Sequence, residues 1–506
     1  MIRLMKLLTH RVFWVAVSIL VQLGALLIVL LRFNGYYQHF SLICSVLSLI
    51  IVINIVGNRS NPSYKIAWII PIMLFPIFGW LLYLLFGGNR LSKRTRHKMQ
   101  SMNEVMAREL KSSCAVESFA GQEDTGIMAS YLAENALCPV YCNTETVYFP
   151  SGEQQLESIL CELKKAQRYI FLEYFIVEPG RMWNSILEIL EEKAAAGVDV
   201  RVLYDDMGCM FTLPRDYPAV LKKKGIKCSV FNPFLPVLSV RMNNRDHRKI
   251  MVIDGVVGYT GGINLADEYI NEKERFGHWK DTAILLRGEA VWSLTVMFLN
   301  MWNFASDTTE EFDQFRPEPA RVCCRGFVQP YADSPLDDEP VGVTVYLNLI
   351  NRAKRYVYLT TPYLIIDHTT VNALTTAAKS GVDVRIITPH IPDKKVIFEV
   401  TRAHYLPLLE AGVKIFEYTP GFIHAKVFAV DDRFGTVGTV NMDYRSMFLH
   451  FEDGVMLYDT PSVLDIKKDI FAVQAVSKSV TLEESKACSF SKRVLRAFLR
   501  VFAPLM

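Results

Sequence analysis

A chain of 506 residues has room for two or three domains with sizeable cores, which excludes a peptide or a small disulfide scaffold. With 55 Lys and Arg against 52 Asp and Glu, its net charge of +3 excludes a nucleic-acid binder that works by bulk positive charge, and 51% hydrophobic residues exclude a disordered chain. A mean hydropathy of +0.19 is high for a soluble domain and places part of the chain in lipid.

The apolar excess lies before about residue 90. Val12 to Leu31 is an uncharged run of 20 residues, Ser41 to Val56 one of 16, and Ile66 to Phe86 a third run that contains Pro71 and Pro76. The first run ends in Val29-Leu30-Leu31-Arg32-Phe33 with no small-residue cleavage site, so it reads as an anchor rather than a signal peptide. Residues 1–100 are therefore expected to form a membrane anchor with two or three transmembrane helices, making this a multi-pass membrane protein. Arg90, Lys93, Arg94, Arg96 and Lys98 put the rest of the chain on the cytoplasmic side. Arg3, Lys6 and Arg11 ask the same for the N-terminus, which three spans cannot satisfy together with the later cluster. The ten cysteines show no CxxC spacing and read as reduced thiols, in keeping with a cytosolic catalytic part.

Beyond residue 120 the sequence repeats itself. Ala166-Gln167-Arg168-Tyr169-Ile170-Phe171-Leu172 returns as Ala353-Lys354-Arg355-Tyr356-Val357-Tyr358-Leu359, and Gly197-Val198-Asp199-Val200-Arg201-Val202 returns as Gly381-Val382-Asp383-Val384-Arg385-Ile386. Each copy runs strand, helix, Gly-led strand, then helix and strand, which is a duplicated α/β architecture. The expected units are a first repeat at 101–315, an acidic Pro-rich linker at 316–340, a second repeat at 341–490 and a basic amphipathic segment at 491–506.

Late in each copy, near 241–268 and 418–445, stands a polar motif. The first reads His247-Arg248-Lys249 with Asp254 and Asn264, and the second His424-Ala425-Lys426 with Asp431, Thr439 and Asn441. Residues two apart on a strand share a face, so each His projects with its Lys, while Asp254 and Asp431 fall at the strand end, where a carboxylate can brace the chain from behind. One H-x-K is weak evidence. Two copies of H-x-K-x4-D, each with an Asn ten residues after the Asp, argue for two halves facing one another across one site.

Two histidines divide the roles of nucleophile and general acid, and the two lysines and two asparagines, with Thr439 beside Asn441, supply donors for non-bridging phosphoryl oxygens. No metal and no cofactor are expected: HExxH and GxxxxGK[ST] are both absent. The chemistry that fits is attack by histidine on a phosphodiester, giving a phosphohistidine, then transfer to a second alcohol. This exchange is nearly energy-neutral and needs no nucleotide. Which histidine attacks is left open by the pseudo-symmetry, with His247 favoured as nucleophile and His424 as acid.

The paired motifs resemble those of the phospholipase D superfamily. Ala67-Trp68-Ile69-Ile70-Pro71, Pro76-Ile77-Phe78-Gly79-Trp80 and Tyr83-Leu84-Leu85-Phe86-Gly87 resemble the membrane-anchor signature of its bacterial cardiolipin synthase family. Glu173-Tyr174-Phe175, Thr361-Pro362-Tyr363 and the terminal Pro504-Leu505-Met506 extend the likeness, which covers the chain from about Ser41. The resemblance implies two phospholipase D-like α/β/α repeats sharing one active site behind transmembrane helices, and a phosphatidyltransferase that joins two phosphatidylglycerols into cardiolipin and releases glycerol. His247, Lys249, Asp254, His424, Lys426 and Asp431 would be the catalytic set, and Asn264, Asn441 and Thr439 would bind phosphate. A carboxylate behind each histidine is also implied: Glu452, 28 residues after His424, and Asp281 in the first half. His450, where the family more commonly has Asn, is expected beside the site rather than as a third catalyst.

In Lys492 to Met506, basic Lys492, Arg493, Arg496 and Arg500 alternate with apolar residues, which suits a helix on an anionic membrane surface as well as one packed on its own domain. The expected partners are phosphatidylglycerol and anionic membrane lipids, with no nucleic acid, and the sequence assigns no oligomeric state. Two other readings stay open: a membrane-bound hydrolase of the same superfamily, with water as acceptor, and a lipid-binding scaffold without activity.

Overall fold

Runs of β-branched and aromatic residues after Ala166 and after Ala353 form the central strands of two sheets, and the order of elements around them is the same in both. The computed structural model describes residues 17, 20, 21, 24, 28 and 37–505, except 59, 77–78, 88–92, 111–122, 234–242, 319–323 and 337–338.

The first sheet contains β1 (Thr144–Phe149), β2 (Tyr169–Tyr174), β3 (Asp199–Asp205), β4 (Lys227–Phe231), β5 (Lys249–Ile253), β6 (Val257–Gly261) and β8 (Ala283–Gly288), in the order β1-β8-β6-β5-β2-β3-β4; the short β7 (His278–Lys280) stands outside it. The second contains β9 (Phe327–Asp333), β10 (Tyr356–Thr360), β11 (Asp383–Pro389), β12 (Lys414–Tyr418), β14 (Val427–Val430), β15 (Phe434–Gly438), β16 (Glu452–Tyr458) and β17 (Ser477–Val480), in the order β17-β12-β11-β10-β14-β15-β16-β9. In each sheet three strands pair in parallel, β2-β3-β4 and β10-β11-β12, and the motif strand, β5 or β14, joins them antiparallel. β13 (Gly421–Ile423) leaves its own sheet and pairs with β7 of the other repeat.

The two faces of the motif strands serve different cores. Ile250 and Val252 pack with Val427 and Ala429 and with helices Val291–Ser306 and Pro461–Ala475, in a core common to both repeats. Met251 and Ile253 face the outer helices of the first repeat, as Phe428 and Val430 face those of the second. Burial on both faces explains why these strands read as continuous apolar runs after the polar motif.

Asp254 and Asp431 define where the motif strands end. The Asp254 carboxylate accepts backbone N–H bonds from Gln167, Arg168 and Tyr169, each at 2.8 Å. Asp431 accepts the equivalent bonds from Lys354, Arg355 and Tyr356 at 2.7 to 2.9 Å. Both residues have positive φ, near 55°, a conformation that Asp tolerates better than most side chains. They clamp the start of β2 or β10 to the end of the motif strand, and neither is among the residues lining the cavity between the two histidines.

Three expectations change. The stretch expected as a linker carries β9, which pairs along β16 at the edge of the second sheet. Helix Glu123–Glu134, expected in the first repeat, puts Met128, Ala129 and Leu132 into the core of the second. Among the described residues no helix is long and apolar enough to cross a membrane. The run Val12 to Leu31 lies largely outside the described residues, and the third run is broken into helices Pro62–Leu74 and Gly79–Phe86, with Pro76 between them. Those helices pack with Tyr37–Gly57 around Ile55, Trp68 and Ile72, while Leu42, Ile50, Ile53, Met73, Leu74 and Leu84 stay exposed.

Candidate active site

Each motif histidine lies just before its strand, where the chain leaves one sheet and touches the other repeat. Asp246 and Phe451 form an isolated parallel bridge; the His247 N–H donates to the Phe451 carbonyl at 2.9 Å, and the Phe451 N–H donates to the Arg245 carbonyl at 2.9 Å. In the other half Ile423 pairs with Lys280, and the His424 N–H donates to the Lys280 carbonyl at 2.7 Å. The residues immediately after Phe451 and Lys280 are Glu452 and Asp281. Strand pairing therefore delivers each carboxylate to the histidine of the opposite repeat.

His247 Nδ1 lies 3.0 and 2.9 Å from the two oxygens of Glu452, and His424 Nδ1 lies 2.6 Å from Asp281 Oδ2. With Nδ1–H donated to a carboxylate, Nε2 is left as the free base at the other end of each ring. The carboxylates are anchored in turn. The Thr439 hydroxyl donates to Glu452 Oε2 at 2.5 Å, and the Thr282 N–H donates to Asp281 Oδ1 at 2.8 Å. At the position equivalent to Thr439 the first repeat has Gly262, where a Cβ would fall 2.0 Å from Asp281 Oδ1. The shorter acid thus needs glycine, and the longer one is held by threonine.

His247, His424, Asn264, Asn441 and His450 line one cavity of about 400 Å³. Not all expected site residues reach it. Thr439 hydrogen-bonds Glu452 and the Asp453 backbone and is not among the cavity-lining residues. Lys249 and Lys426 are fully buried beneath the histidines, each donating to the carbonyl of its own motif histidine, and Lys426 Nζ also lies 2.7 Å from His424 Nδ1. Their charge acts on the rings from behind rather than at the cavity wall. Asn264 does line the cavity, but it accepts from the Ile176 N–H at 2.9 Å and donates to the Tyr269 hydroxyl at 2.7 Å. Asn441 Oδ1 is buried without a hydrogen-bond partner.

Burial, reinforced by Lys249 and Lys426, holds His247 well below the usual imidazole range, and burial with Lys426 brings His424 down to about 4. Burial lowers Lys249 to about 8 and Lys426 to about 7. It also opposes ionisation of Asp281, yet Lys426 and His424 outweigh it and keep that carboxyl below its ordinary value. Burial and the lysines thus favour the neutral form of both imidazoles and Asp281 opposes them, in a cavity biased by two ammonium groups. That arrangement can attack an electrophilic phosphorus at one ring and pass a proton at the other.

The two half-sites differ in their walls. His424 is surrounded by Trp279, Phe422 and Tyr269, with ring centroids 5.6 to 5.9 Å away, whereas His247 has Phe175 at 5.1 Å and His450 at 5.5 Å. His450 lines the same cavity, with burial lowering it to about 4 against the pull of Glu452, whose Oε1 lies 3.6 Å from its Nδ1. His247, His450 and Glu452 place one possible ligand atom each within 4.8 Å of one another, the one such group among the described residues. Glu452 is already engaged by His247 and Thr439, and two lysines lie behind, so the surroundings suit an anion better than a metal ion.

Sequence reasoning missed a buried network under the first motif. Arg248, between His247 and Lys249, reaches Glu173 Oε1 at 2.8 Å and Asp246 Oδ1 at 3.2 Å, and Asp453, pushed by burial to about 7, accepts from the Thr260 hydroxyl at 2.5 Å. An arginine in the motif strand's apolar setting was the available signal, since a guanidinium buried there requires carboxylates. Arg445 and Lys394 on the cavity wall were missed as well, because neither has a counterpart in the first motif.

Comparison with known proteins gives a consistent picture. Residues 159–302 and 346–472 match the family described as "Cardiolipin synthase, PLD-like domain", and residues 45–88 match "Phospholipase_D-nuclease N-terminal". The chain is 36% identical over 501 residues to the cardiolipin synthase of Geobacillus kaustophilus, covering 97% of this chain and 99% of that one. It is 33% identical over 504 residues to the cardiolipin synthase of Halalkalibacterium halodurans, covering 96% and 99%. An uncharacterized protein of Streptococcus mutans is 43% identical over 463 residues, covering 90% and 99%. Among solved structures, phosphatidylserine synthase from Haemophilus influenzae shares the fold, with a TM-score of 0.55 at 14% identity, covering 71% of this chain and 93% of that one.

Proposed function

The chain belongs to the cardiolipin synthase family with a phospholipase D-like domain, and from that premise we propose how its site joins two phosphatidylglycerols into cardiolipin and glycerol. The observation that carries the mechanism is the crossed pairing of His247 with Glu452 and His424 with Asp281 around one cavity. The donor's phosphodiester lies between the two Nε2 atoms. His247 Nε2 attacks phosphorus, the bond to the glycerol oxygen breaks, and His424, which enters this step protonated on both nitrogens with Nδ1–H held by Asp281, supplies the Nε2 proton that glycerol carries away. His424 then accepts the proton of a second phosphatidylglycerol hydroxyl as that oxygen displaces His247 and forms cardiolipin. Burial and the two lysines lower both rings, and both donate Nδ1–H to a carboxylate; the proposed assignment follows the shorter contact of His424, 2.6 Å from Asp281 against 2.9 Å for His247 and Glu452, which favours the protonated form at His424. The bonds made and broken are both phosphodiester bonds, so no nucleotide enters.

The surroundings of the site fit a lipid substrate. Helix Pro62–Leu74, which packs on helix Tyr37–Gly57 and with it leaves apolar residues exposed, adjoins the C-terminal helix Phe490–Phe502, whose Phe490, Val494, Leu495 and Phe498 are exposed and whose Lys492, Arg493 and Arg500 flank them. That helix also packs on its own domain, through Arg496 to Glu399 at 2.8 Å and Leu499 against Val400 and Tyr444, which leaves its other face for a membrane surface. We place residues 1–86 in or on the membrane as a multi-pass anchor, this C-terminal helix on its anionic surface and the repeats on the cytoplasmic side.

The direct test is purified full-length protein with phosphatidylglycerol in detergent micelles and no nucleotide. Cardiolipin and glycerol in equal amounts are expected, with a phosphorylated histidine trapped by acid-free quenching at His247. Phosphatidic acid as main product would make it a hydrolase, no turnover a scaffold, and a label on His424 would exchange the roles of the rings. A pH profile gives a second check. Lys426 and Lys249 are charged below about 7 and about 8 and lose that charge as pH rises, so kcat/KM should fall through this range, to below about a hundredth of its low-pH value by one unit above pH 8. A flat profile up to about pH 9.5 would show that the buried ammonium charges do not act on the substrate.

A further inference from the structure

The two half-sites join their histidine to the opposite repeat by contacts of unequal extent. His424 follows a strand pairing of three residues, in which Gly421, Phe422 and Ile423 face His278, Trp279 and Lys280. His247 follows one isolated bridge, between Asp246 and Phe451. Glu452 comes immediately after Phe451, so that single bridge has to fix both the ring and the acid that orients it. Building on the proposed reaction, we propose that Arg248 is a positioning residue for His247, holding the bridge between Asp246 and Phe451 in register so that Glu452 meets the ring.

Arg248 touches both members of the bridge. Its Nε donates to Asp246 Oδ1 at 3.2 Å, and its guanidinium carbon lies 5.8 Å from the centroid of the Phe451 ring. A third contact, from a terminal guanidinium nitrogen to Glu173 Oε1 at 2.8 Å, ties both to β2 in the first sheet. The ends of β3 and β4 support the bridge as well, because the Asp246 N–H donates to Asp205 Oδ2 at 3.0 Å and Phe231 meets the Phe451 ring edge-on at 5.5 Å. Arg248, Glu173 and Asp246 are all buried, and there a planar guanidinium that spans two carboxylates holds them in one geometry.

The second repeat has no such device at the equivalent positions, where its longer pairing makes one unnecessary. Ala425 stands at the place of Arg248. Thr360 stands at the place of Glu173, since Glu173 pairs with Ile250 of β5 and Thr360 with Val427 of β14. The Thr360 hydroxyl donates to the Ala425 carbonyl at 2.9 Å, and Ile423, at the place of Asp246, lies within β13. The buried charges thus accompany the half-site whose contact with the opposite repeat is a single bridge. A buried arginine and two carboxylates bring little stability that an apolar set would not, which fits a role in geometry.

Loss of register should act on one ring. Full-length Arg248→Met in phosphatidylglycerol micelles is expected to lower kcat for cardiolipin formation about 10²-fold, the effect of displacing a catalytic group by about 1 Å, with KM within about threefold of wild type. Diethylpyrocarbonate modification, mapped by peptide mass spectrometry, should change at His247 and keep its wild-type rate at His424. Arg248→Lys retains one ion pair without spanning both carboxylates and should recover part of kcat. Because Arg248→Met leaves Glu173 buried without its cation, a second variant separates positioning from folding: Arg248→Ala with Glu173→Thr installs the pair found in the second repeat. It should unfold near the wild-type temperature yet keep the low kcat and the altered His247. Wild-type kcat in this double variant, or equal changes at both histidines in either variant, would overturn the proposal. If wild type makes no cardiolipin, the proposed reaction fails, and the modification pattern, which needs no turnover, still decides whether Arg248 positions His247.

Discussion

Replacing either His247 or His424 by alanine is expected to lower cardiolipin formation by at least about 10⁴-fold, and the double variant is expected to be no worse than either single one. In the proposed mechanism the two rings act as one unit: without the attacking nitrogen no phosphohistidine forms, and without the second ring the leaving glycerol oxygen has no proton donor and the acceptor has no base. Each lies at the end of its strand with its backbone N–H bonded to the opposite repeat and its ring at the cavity surface, so truncation removes chemistry and leaves those backbone bonds in place. Initial rates of glycerol release from phosphatidylglycerol measure this directly. Either single variant retaining more than about 1% of wild-type rate would mean that the two motifs do not share a reaction, and the crossed geometry would then need another explanation.

The duplication is legible in the sequence for a reason that the structure makes physical. Asp254 and Asp431 each bind three consecutive backbone N–H groups at the start of β2 or β10, so the motif aspartate and the Ala-x-Arg-Tyr segment it clamps occur together in both copies. Gly197 and Gly381, which open the other repeated segment, both end a helix with φ near +92°, a conformation open to glycine at little cost. What sequence periodicity cannot display is pairing between the repeats. β7 with β13, and the single bridge from Asp246 to Phe451, decide that each acid serves the other half's histidine, and no spacing within one copy encodes that. Parity along the strand correctly separates Lys249 from Ile250, but it cannot tell that the lysine folds back to its own histidine's carbonyl instead of reaching the cavity. The anchor is a similar case: hydropathy finds the apolar run through Phe86, while the break after Leu74 depends on Pro76 and on the packing of Trp68 against Tyr83, with centroids 5.4 Å apart.

The crossed carboxylates carry the second large prediction. Glu452→Gln and Asp281→Asn are each expected to reduce cardiolipin formation by about 10³- to 10⁴-fold, the scale on which a catalytic imidazole loses function when its buried carboxylate is replaced by an amide that accepts the wrong tautomer. The loss alone would fit any pairing, so its specificity must be read at the rings. Modification of the histidines by diethylpyrocarbonate, mapped by peptide mass spectrometry, should change at His247 in Glu452→Gln and at His424 in Asp281→Asn, with the other histidine close to its wild-type rate. The opposite pattern would assign each acid to its own repeat and contradict the distances of 2.9 and 2.6 Å. Gly262→Thr gives the same test by steric means, because the threonine that supports Glu452 in one half would collide with Asp281 in the other. It should alter His424 and leave His247 unchanged, a result expected only if the two half-sites, alike in sequence pattern, are completed by acids of different length across the repeat boundary.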